Sequence, residues 1–480
     1  MVPVSRVSGR ALGSLLPDLR RLPGPVYAAL GDAIVSLVLD GRIAPEARLP
    51  SERELADQLA ISRATVTAAY DALRGQGFLA SRTGAGSFVT VPPDARPRVS
   101  TLRWAPATPQ HADEIDLTCA ALPAPPGVLP NAIARAVEQL PVLAAGSGYD
   151  PMGLGPLRAA VAERYTTRGV ATHADQILIT NGSLHAFDLL LRLLVGPGDR
   201  VLTELPTYPG ALDALRGNGA RIVPVPLAPE GGWQVGQIQA TLRQTSPRLA
   251  YLIPDYHNPT GALVHDQDRR DVLRAARQAG TTVIVDESFV ELGYGSSARP
   301  AAALDGTVVS IGSLSKPVWG GLRLGWVRGS ADLVRRLAVQ RAATDVAGSA
   351  LDQLVGTVLF AELDAITSRR RAELQPRRDA LISALHTHLP QWQLQVPEGG
   401  LSVWVELDAP QCTPLTQVAA QHGVTLVPGS RFGVDGTLER FLRLPFALPT
   451  ERLEEAVRRI AAAWQRLDHS GAPMRQLVVA

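Results

Sequence analysis

The run Val308-Val309-Ser310-Ile311-Gly312-Ser313-Leu314-Ser315-Lys316 passes from a short apolar stretch through small residues to a lysine. That lysine is the only one in 480 residues; every other one of the 47 Lys+Arg positions is arginine. A short apolar run bounded by turn residues reads as a fully buried strand. A polar group just past such a strand faces the crevice where open α/β sheets bind their ligands. A composition that uses arginine wherever charge suffices keeps a lysine where an amine must lose its proton, because guanidinium stays protonated.

Similar runs lie on either side. Gln176 to Thr180, Arg200 to Thr203, Leu249 to Ile253, Thr281 to Val285 and Val308 to Ile311 alternate with amphipathic helical stretches. This pattern predicts a mostly parallel α/β architecture. Several runs end in residues that carry chemistry. An amine that can be neutral forms an imine with an aldehyde, which is how pyridoxal phosphate is held. Thirty positions before Lys316, Val283-Ile284-Val285-Asp286 ends in a carboxylate suited to a pyridinium nitrogen, or to capping a helix. Asn258, in Asn258-Pro259-Thr260-Gly261, can donate to a ring oxygen or simply form an Asn-Pro turn. Tyr208, in Glu204-Leu205-Pro206-Thr207-Tyr208, offers a stacking ring or a core side chain. Thr180-Asn181-Gly182-Ser183 leads into a helix whose first amides can hold phosphate. Ser313 and Arg323, the latter seven positions past the lysine, add a hydroxyl and a bidentate cation.

A formal net charge of +2 excludes a broadly basic polyanion binder, so any nucleic-acid contact must be local. Cys119 and Cys412 lie far apart without metal-ligand spacing, which argues against a disulfide framework. The nine histidines show no ligand clustering, and Gly153-Leu154-Gly155 lacks the third glycine of a dinucleotide fingerprint. No secretory h-region or long apolar span is evident, so a soluble, cytoplasmic chain without membrane contact is expected.

The N-terminal region has a different pattern. Val26, Leu30, Ile34, Leu37 and Val38 recur at helical spacing, with Gly41 as a stop. Ser51 and Glu54 form an S-x-x-E capping box, and Ser62 caps a third helix that buries Val66, Ala69, Tyr70 and Leu73. Phe78 to Ser81 and Ser87 to Val91 read as strands around Thr83-Gly84-Ala85-Gly86, completing a winged helix-turn-helix outline. Arg63, Thr65 and Thr67 occupy the first turns of the third helix, where a recognition helix meets base edges. Arg48, Arg53 and Arg82 can neutralise phosphates, though singly each also reads as a solvated surface residue. Residues 1–92 hold ten arginines against eight acidic residues, so DNA binding should be salt-sensitive without being indiscriminate. The expected division is a DNA-binding domain at 24–91, a proline-rich linker at 92–111, a large α/β region at 112–467 and a mobile tail at 468–480.

The run Arg48-Leu49-Pro50-Ser51-Glu52-Arg53-Glu54-Leu55-Ala56, then Ser62-Arg63-Ala64-Thr65-Val66, then Gly75-Gln76-Gly77-Phe78-Leu79 resembles the GntR family. That resemblance places Arg53, Arg63, Thr65 and Thr67 at DNA and Gly84 in the wing. The series from Gly182 to Arg323 resembles fold-type I, class I and II aminotransferases, which implies a large and a small domain and a homodimer with shared sites. By resemblance Lys316 holds the aldehyde of pyridoxal 5'-phosphate, Asp286 its ring nitrogen, Asn258 its ring oxygen and Tyr208 its face. Gly182, Ser183, Ser313 and Arg323 match phosphate positions. Arg443, in Leu442-Arg443-Leu444-Pro445, matches the arginine for a substrate carboxylate. Tyr149, ahead of Gly153, resembles the tyrosine that reaches the partner subunit's phosphate.

The fused order resembles the MocR subfamily of GntR regulators. Two departures stand out: Ser183-Leu184-His185 where many members carry a glutamine pair, and Ser288-Phe289 where relatives place a phenol. The resemblance implies a transcriptional regulator that binds double-stranded DNA and senses the cofactor, a small amino compound, or both. A working aminotransferase stays open, because Arg443, Asp286, Asn258 and Lys316 suffice for a half-transamination. An enzyme whose N-terminal helices only mediate assembly would leave Arg63, Thr65 and the glycine wing without a purpose.

Overall fold

The computed structural model describes residues 7–16, 19, 25–39, 43, 46–82, 86–90, 92, 113–228, 231–295, 299–434 and 437–469. Helices α1 (Gly9–Leu15), α2 (Val26–Leu39), α3 (Glu52–Leu59) and α4 (Arg63–Gly75) precede the hairpin β1 (Leu79–Arg82) and β2 (Gly86–Val89). The hairpin is antiparallel, pairing Leu79 with Val89 and Arg82 with Gly86. The periodic residues named for α4, together with Leu30, Ile34, Leu37, Val38 and Leu55, are buried in one cluster. Each such side chain contributes about 1.5–3 kcal/mol of apolar burial, which fixes this packing more than helix propensity does.

The helix starts differ in one respect from expectation. Ser51 Oγ accepts from Glu54 N at 3.2 Å and Ser62 Oγ from Thr65 N at 3.1 Å, as N-caps do. The Glu54 carboxylate, however, accepts from Gly9 N at 2.7 Å, tying down the start of α1. That helix, formed ahead of the first periodic segment, was not anticipated. The expected stop at Gly41 and the wing position Gly84 lie outside the described residues, as does nearly all of the linker.

The larger region is built on seven strands: β4 (Ile177–Thr180), β5 (Arg200–Leu205), β6 (Arg221–Pro226), β7 (Leu249–Leu252), β8 (Thr282–Asp286), β9 (Val309–Ser313) and β10 (Gly325–Arg328). Their spatial order is β4-β10-β9-β8-β7-β5-β6. The pairs from β9 to β6 are parallel, while β10 runs antiparallel to both β4 and β9. Apolar clusters cover both faces, as a parallel sheet requires. The one reversed strand was not visible in the runs. Helices α5 (Val128–Ala144), α6 (Gly155–Thr167), α7 (Ser183–Leu194) and α8 (Pro209–Asn218) supply the elements needed below.

A smaller layer has its own core around Trp464, Leu442 and Leu444. Its antiparallel sheet joins β11 (Gln393–Leu394), β12 (Ser402–Glu406), β14 (Val427–Pro428) and β15 (Phe441–Pro445). The short strand β3 (Ile115–Asp116), first after the linker, pairs in parallel with β13 (Val424–Thr425). The last helix runs from Thr450 to His469, past the expected tail boundary at 468; residues 470–480 lie outside the described residues. No helix among the described residues is long and apolar enough to cross a membrane.

Candidate functional site

Four adjacent parallel strands each deliver one predicted site residue just beyond their carboxyl ends. Tyr208 follows β5, Asn258 follows β7, Asp286 closes β8 and Lys316 follows β9. Strand order therefore brings together residues spread over more than a hundred positions of sequence.

Asp286 is buried, and its carboxylate accepts from Tyr251 Oη at 2.7 Å and from Ser288 N at 2.9 Å. Burial raises its pKa above the usual carboxylate range, and these two donors oppose the rise. Lys316 Nζ donates to Ala120 O at 2.9 Å and lies 5.5 Å from the centroid of the Phe289 ring. Burial holds its amine below the ordinary lysine value; Arg443 and Arg323 push the same way, against the charge of Asp286. The Tyr208 hydroxyl is pushed up to about 12, first by burial and then by Asp286. Asn258 is buried, and its Oδ1 has no hydrogen-bond partner.

The phosphate candidates converge through the reversed strand. Gly325 pairs with Thr180 on one side and Ser313 on the other, which sets Arg323 beside Gly182. Arg323 Nη2 donates to Asn181 O at 2.8 Å. A Cβ on Gly182 would stand 2.8 Å from that same nitrogen, and the residue's φ of +91° also favours glycine. No side chain caps α7, whose first turn begins at Ser183. Ser183 Oγ accepts from Ser288 Oγ at 3.0 Å, and Ser313 Oγ lies 2.9 Å from Leu324 O. In the departing segment, His185 Nδ1 accepts from Asn181 N at 3.0 Å and so braces the turn. Burial lowers the His185 pKa, keeping that ring nitrogen free to accept.

Arg443, on β15, is buried; its Nη2 donates to Thr118 O and its guanidinium lies 4.9 Å from the Phe432 ring centroid. Its Nε has no partner. Burial lowers its pKa to about 10, so it stays charged at neutral pH. Tyr149 stands apart, 73% exposed.

These groups fit pyridoxal phosphate. The buried, partnerless Arg443 Nε offers a donor to a carboxylate, the Gly182 turn leaves room for phosphate beside Arg323, and the one amine is held where it can be neutral. Among the described residues no group of His, Cys, Asp and Glu is placed to hold a metal ion.

In the N-terminal unit, Arg63 has 72% of its side chain exposed, with Nε 3.8 Å from Glu52. Thr67 Oγ1 donates to Glu52 Oε2 at 2.8 Å, and Thr65 Oγ1 lies 2.8 Å from Ser62 Oγ. Glu52 thus engages both Arg63 and Thr67 on one side of α4. Arg53 and Ser51 are exposed, and Arg48 lies along the wing, where a Cβ on Gly86 would be 2.9 Å from its Nε. Arg82 sits on β1, while Gly84 falls outside the described residues.

The profile of bacterial regulatory proteins of the gntR family matches residues 26–89, and that of class I and II aminotransferases matches residues 125–460. The rhizopine catabolism regulatory protein MocR of Rhizobium meliloti is 28% identical over 93% of this chain and 95% of its own length. The chain belongs to the MocR subfamily of gntR-type regulators. The HTH-type transcriptional regulator YisV of Bacillus subtilis is 29% identical over 80% of this chain and 85% of its own. The aminotransferase part of this MocR-type chain adopts the fold of the Thermus thermophilus α-aminoadipate aminotransferase, solved with N-(5'-phosphopyridoxyl)-L-leucine. That match has a TM-score of 0.68 at 30% identity and covers 75% of this chain and 94% of the other. The fold expected from the runs is therefore the fold present.

Three participants in the MocR-type site were missed. Tyr251 reads as one apolar-run residue among several, yet its hydroxyl fixes Asp286. The carbonyls of Thr118 and Ala120 carry no residue-type signal at all.

Proposed function

We propose that this chain is a transcriptional regulator that binds double-stranded operator DNA through its winged helix and pyridoxal 5'-phosphate through Lys316. A small amino compound bearing a carboxylate is its effector. The observation that carries this reading is the union, in one chain, of a gntR domain at residues 26–89 with an intact set of cofactor-type residues at the strand ends. Bound, the cofactor supplies an aldehyde carbon and an electron-withdrawing ring. Lys316 presents the amine, Asp286 faces the ring nitrogen, Asn258 the ring oxygen, and Tyr208 covers a face. The amides opening α7, with Ser183, Ser313 and Arg323, hold the phosphate. Arg443 takes the carboxylate.

The working unit is a homodimer. Tyr149 is exposed at 73%, and Ile133 and Val137, one turn apart on α5, present apolar side chains to solvent. Tyr149 then serves the partner subunit's site. A gntR domain works at DNA, which supports a cytoplasmic location.

A second reading, amino-group transfer, is favoured by the amine of Lys316, which burial leaves able to accept a proton beside a carboxylate-binding Arg443. Adding pyridoxal phosphate and then borohydride tests the shared step. The expected result is a yellow protein whose reduced adduct maps to Lys316; a colourless protein with unmodified Lys316 rejects the cofactor role. Rapid multiple turnover with one amino acid and keto acid pair would favour the enzyme.

A further inference from the structure

Lys316 lies just past β9 of the larger sheet and Arg443 on β15 of the smaller one, yet both donate to one three-residue segment. Lys316 Nζ holds Ala120 O and Arg443 Nη2 holds Thr118 O. The chain bends at Thr118, yet the carbonyls of Thr118 and Ala120 both meet donors of the site, so residues 118–120 lie as a strap across it. On one side the strap continues from β3, whose flanking amides of Ile115 and Leu117 donate to Gly423 O and Thr425 O, both at 2.9 Å. On the other, Leu122 enters the smaller core and Pro123 O accepts from Arg370. The sequence before β3 is the linker to the winged helix.

We propose that this strap is released when the site is occupied, and that its release couples ligand binding to the chain leading into the DNA-binding domain. The inference rests on the regulator reading above. Condensation of the neutral Nζ amine with an aldehyde forms a C=N bond and expels the aldehyde oxygen with both amine hydrogens as water. Ala120 O, in a residue 5% exposed, then loses its donor, and a buried carbonyl without one is unfavourable. A carboxylate bound bidentately on the Nε–Nη2 edge of Arg443, where Nε has no partner, takes one of the two Nη2 hydrogens and re-aims the guanidinium toward itself, which weakens its hold on Thr118 O. A charged acceptor outcompetes a neutral one. Cofactor and carboxylate therefore favour the same displaced strap, which makes their effects cooperative.

Hydrogen exchange followed by mass spectrometry on the full-length chain tests this through peptides spanning residues 113–123. Without ligand, Lys316→Ala and Arg443→Gln should each exchange at least about threefold faster than wild type there, and the double variant faster still. Wild type should reach the Lys316→Ala rate on adding pyridoxal phosphate, and exceed it with propionate, a carboxylate that carries no amine, as the second probe. Lys316→Ala should not respond to the cofactor. Wild-type exchange unchanged by cofactor that borohydride shows attached to Lys316 would overturn the strap while leaving the regulator reading intact. Were no adduct to form, that reading would fail, and the ligand-free variants would still decide the strap: rates equal to wild type in both overturn it.

Discussion

The Tyr251 hydroxyl donates to Asp286 Oδ2 at 2.7 Å, so a buried carboxylate that burial pushes upward is held partly down by one phenol. Removing that donor in Tyr251→Phe raises the Asp286 pKa further and weakens its hold on a ring nitrogen. The expected outcome is a loss of about 1–2 kcal/mol in cofactor affinity, about 5- to 30-fold. Absorbance titration with pyridoxal phosphate checks it; an unchanged midpoint would remove Tyr251 from the site.

The same carboxylate sets a pH dependence of folding in the absence of cofactor. Its folded pKa lies above its unfolded one, so the stability it contributes is complete below the ordinary carboxylate range and is lost as pH rises through the folded value. Asp286→Asn should lack this loss. Urea unfolding across that window, compared between the two proteins, reads the difference directly.

Lys316 has the opposite bias. Burial lowers its folded pKa, so protonation at neutral pH opposes folding, and the stability the neutral amine contributes appears only as pH rises. Lys316→Met should therefore lack the rise of melting temperature with pH that wild type shows without cofactor, while gaining nothing when pyridoxal phosphate is added. A scan of melting temperature against pH and cofactor concentration separates the two effects.

In the winged helix, Ser62→Ala removes the cap of α4 and should cost about 1 kcal/mol of that domain's stability. Arg63→Ala should leave stability within about 0.5 kcal/mol, because the side chain is exposed, yet weaken operator binding by about 1–3 kcal/mol. Denaturation followed by circular dichroism and binding by anisotropy should therefore rank the two variants in opposite orders.

What was legible in sequence follows the type of signal. The buried face of α4 came through because Val66, Ala69, Tyr70 and Leu73 keep helical spacing, β4, β7 and β8 because their apolar runs are nearly uninterrupted, and β5 and β9 because short apolar stretches sit between turn residues. The reversed β10 did not, since Gly325 to Arg328 has no pattern that states direction. The smaller sheet escaped because β11 and β14 are two residues long and gain their apolar environment from distant segments. Glu54 was assigned to its own helix start, and only tertiary packing brings Gly9 within its reach. The strap acts through backbone carbonyls, which every residue type carries.

Binding of a fluorescent fragment of the chain's own upstream DNA, at fixed salt with and without pyridoxal phosphate and an amino acid, tests the central claim most directly. The account predicts that ligand shifts the apparent Kd of wild type by at least about fivefold and that Lys316→Ala, binding the same DNA, shows no shift. An identical Kd for wild type with and without cofactor, when the cofactor is demonstrably attached to Lys316, would contradict it.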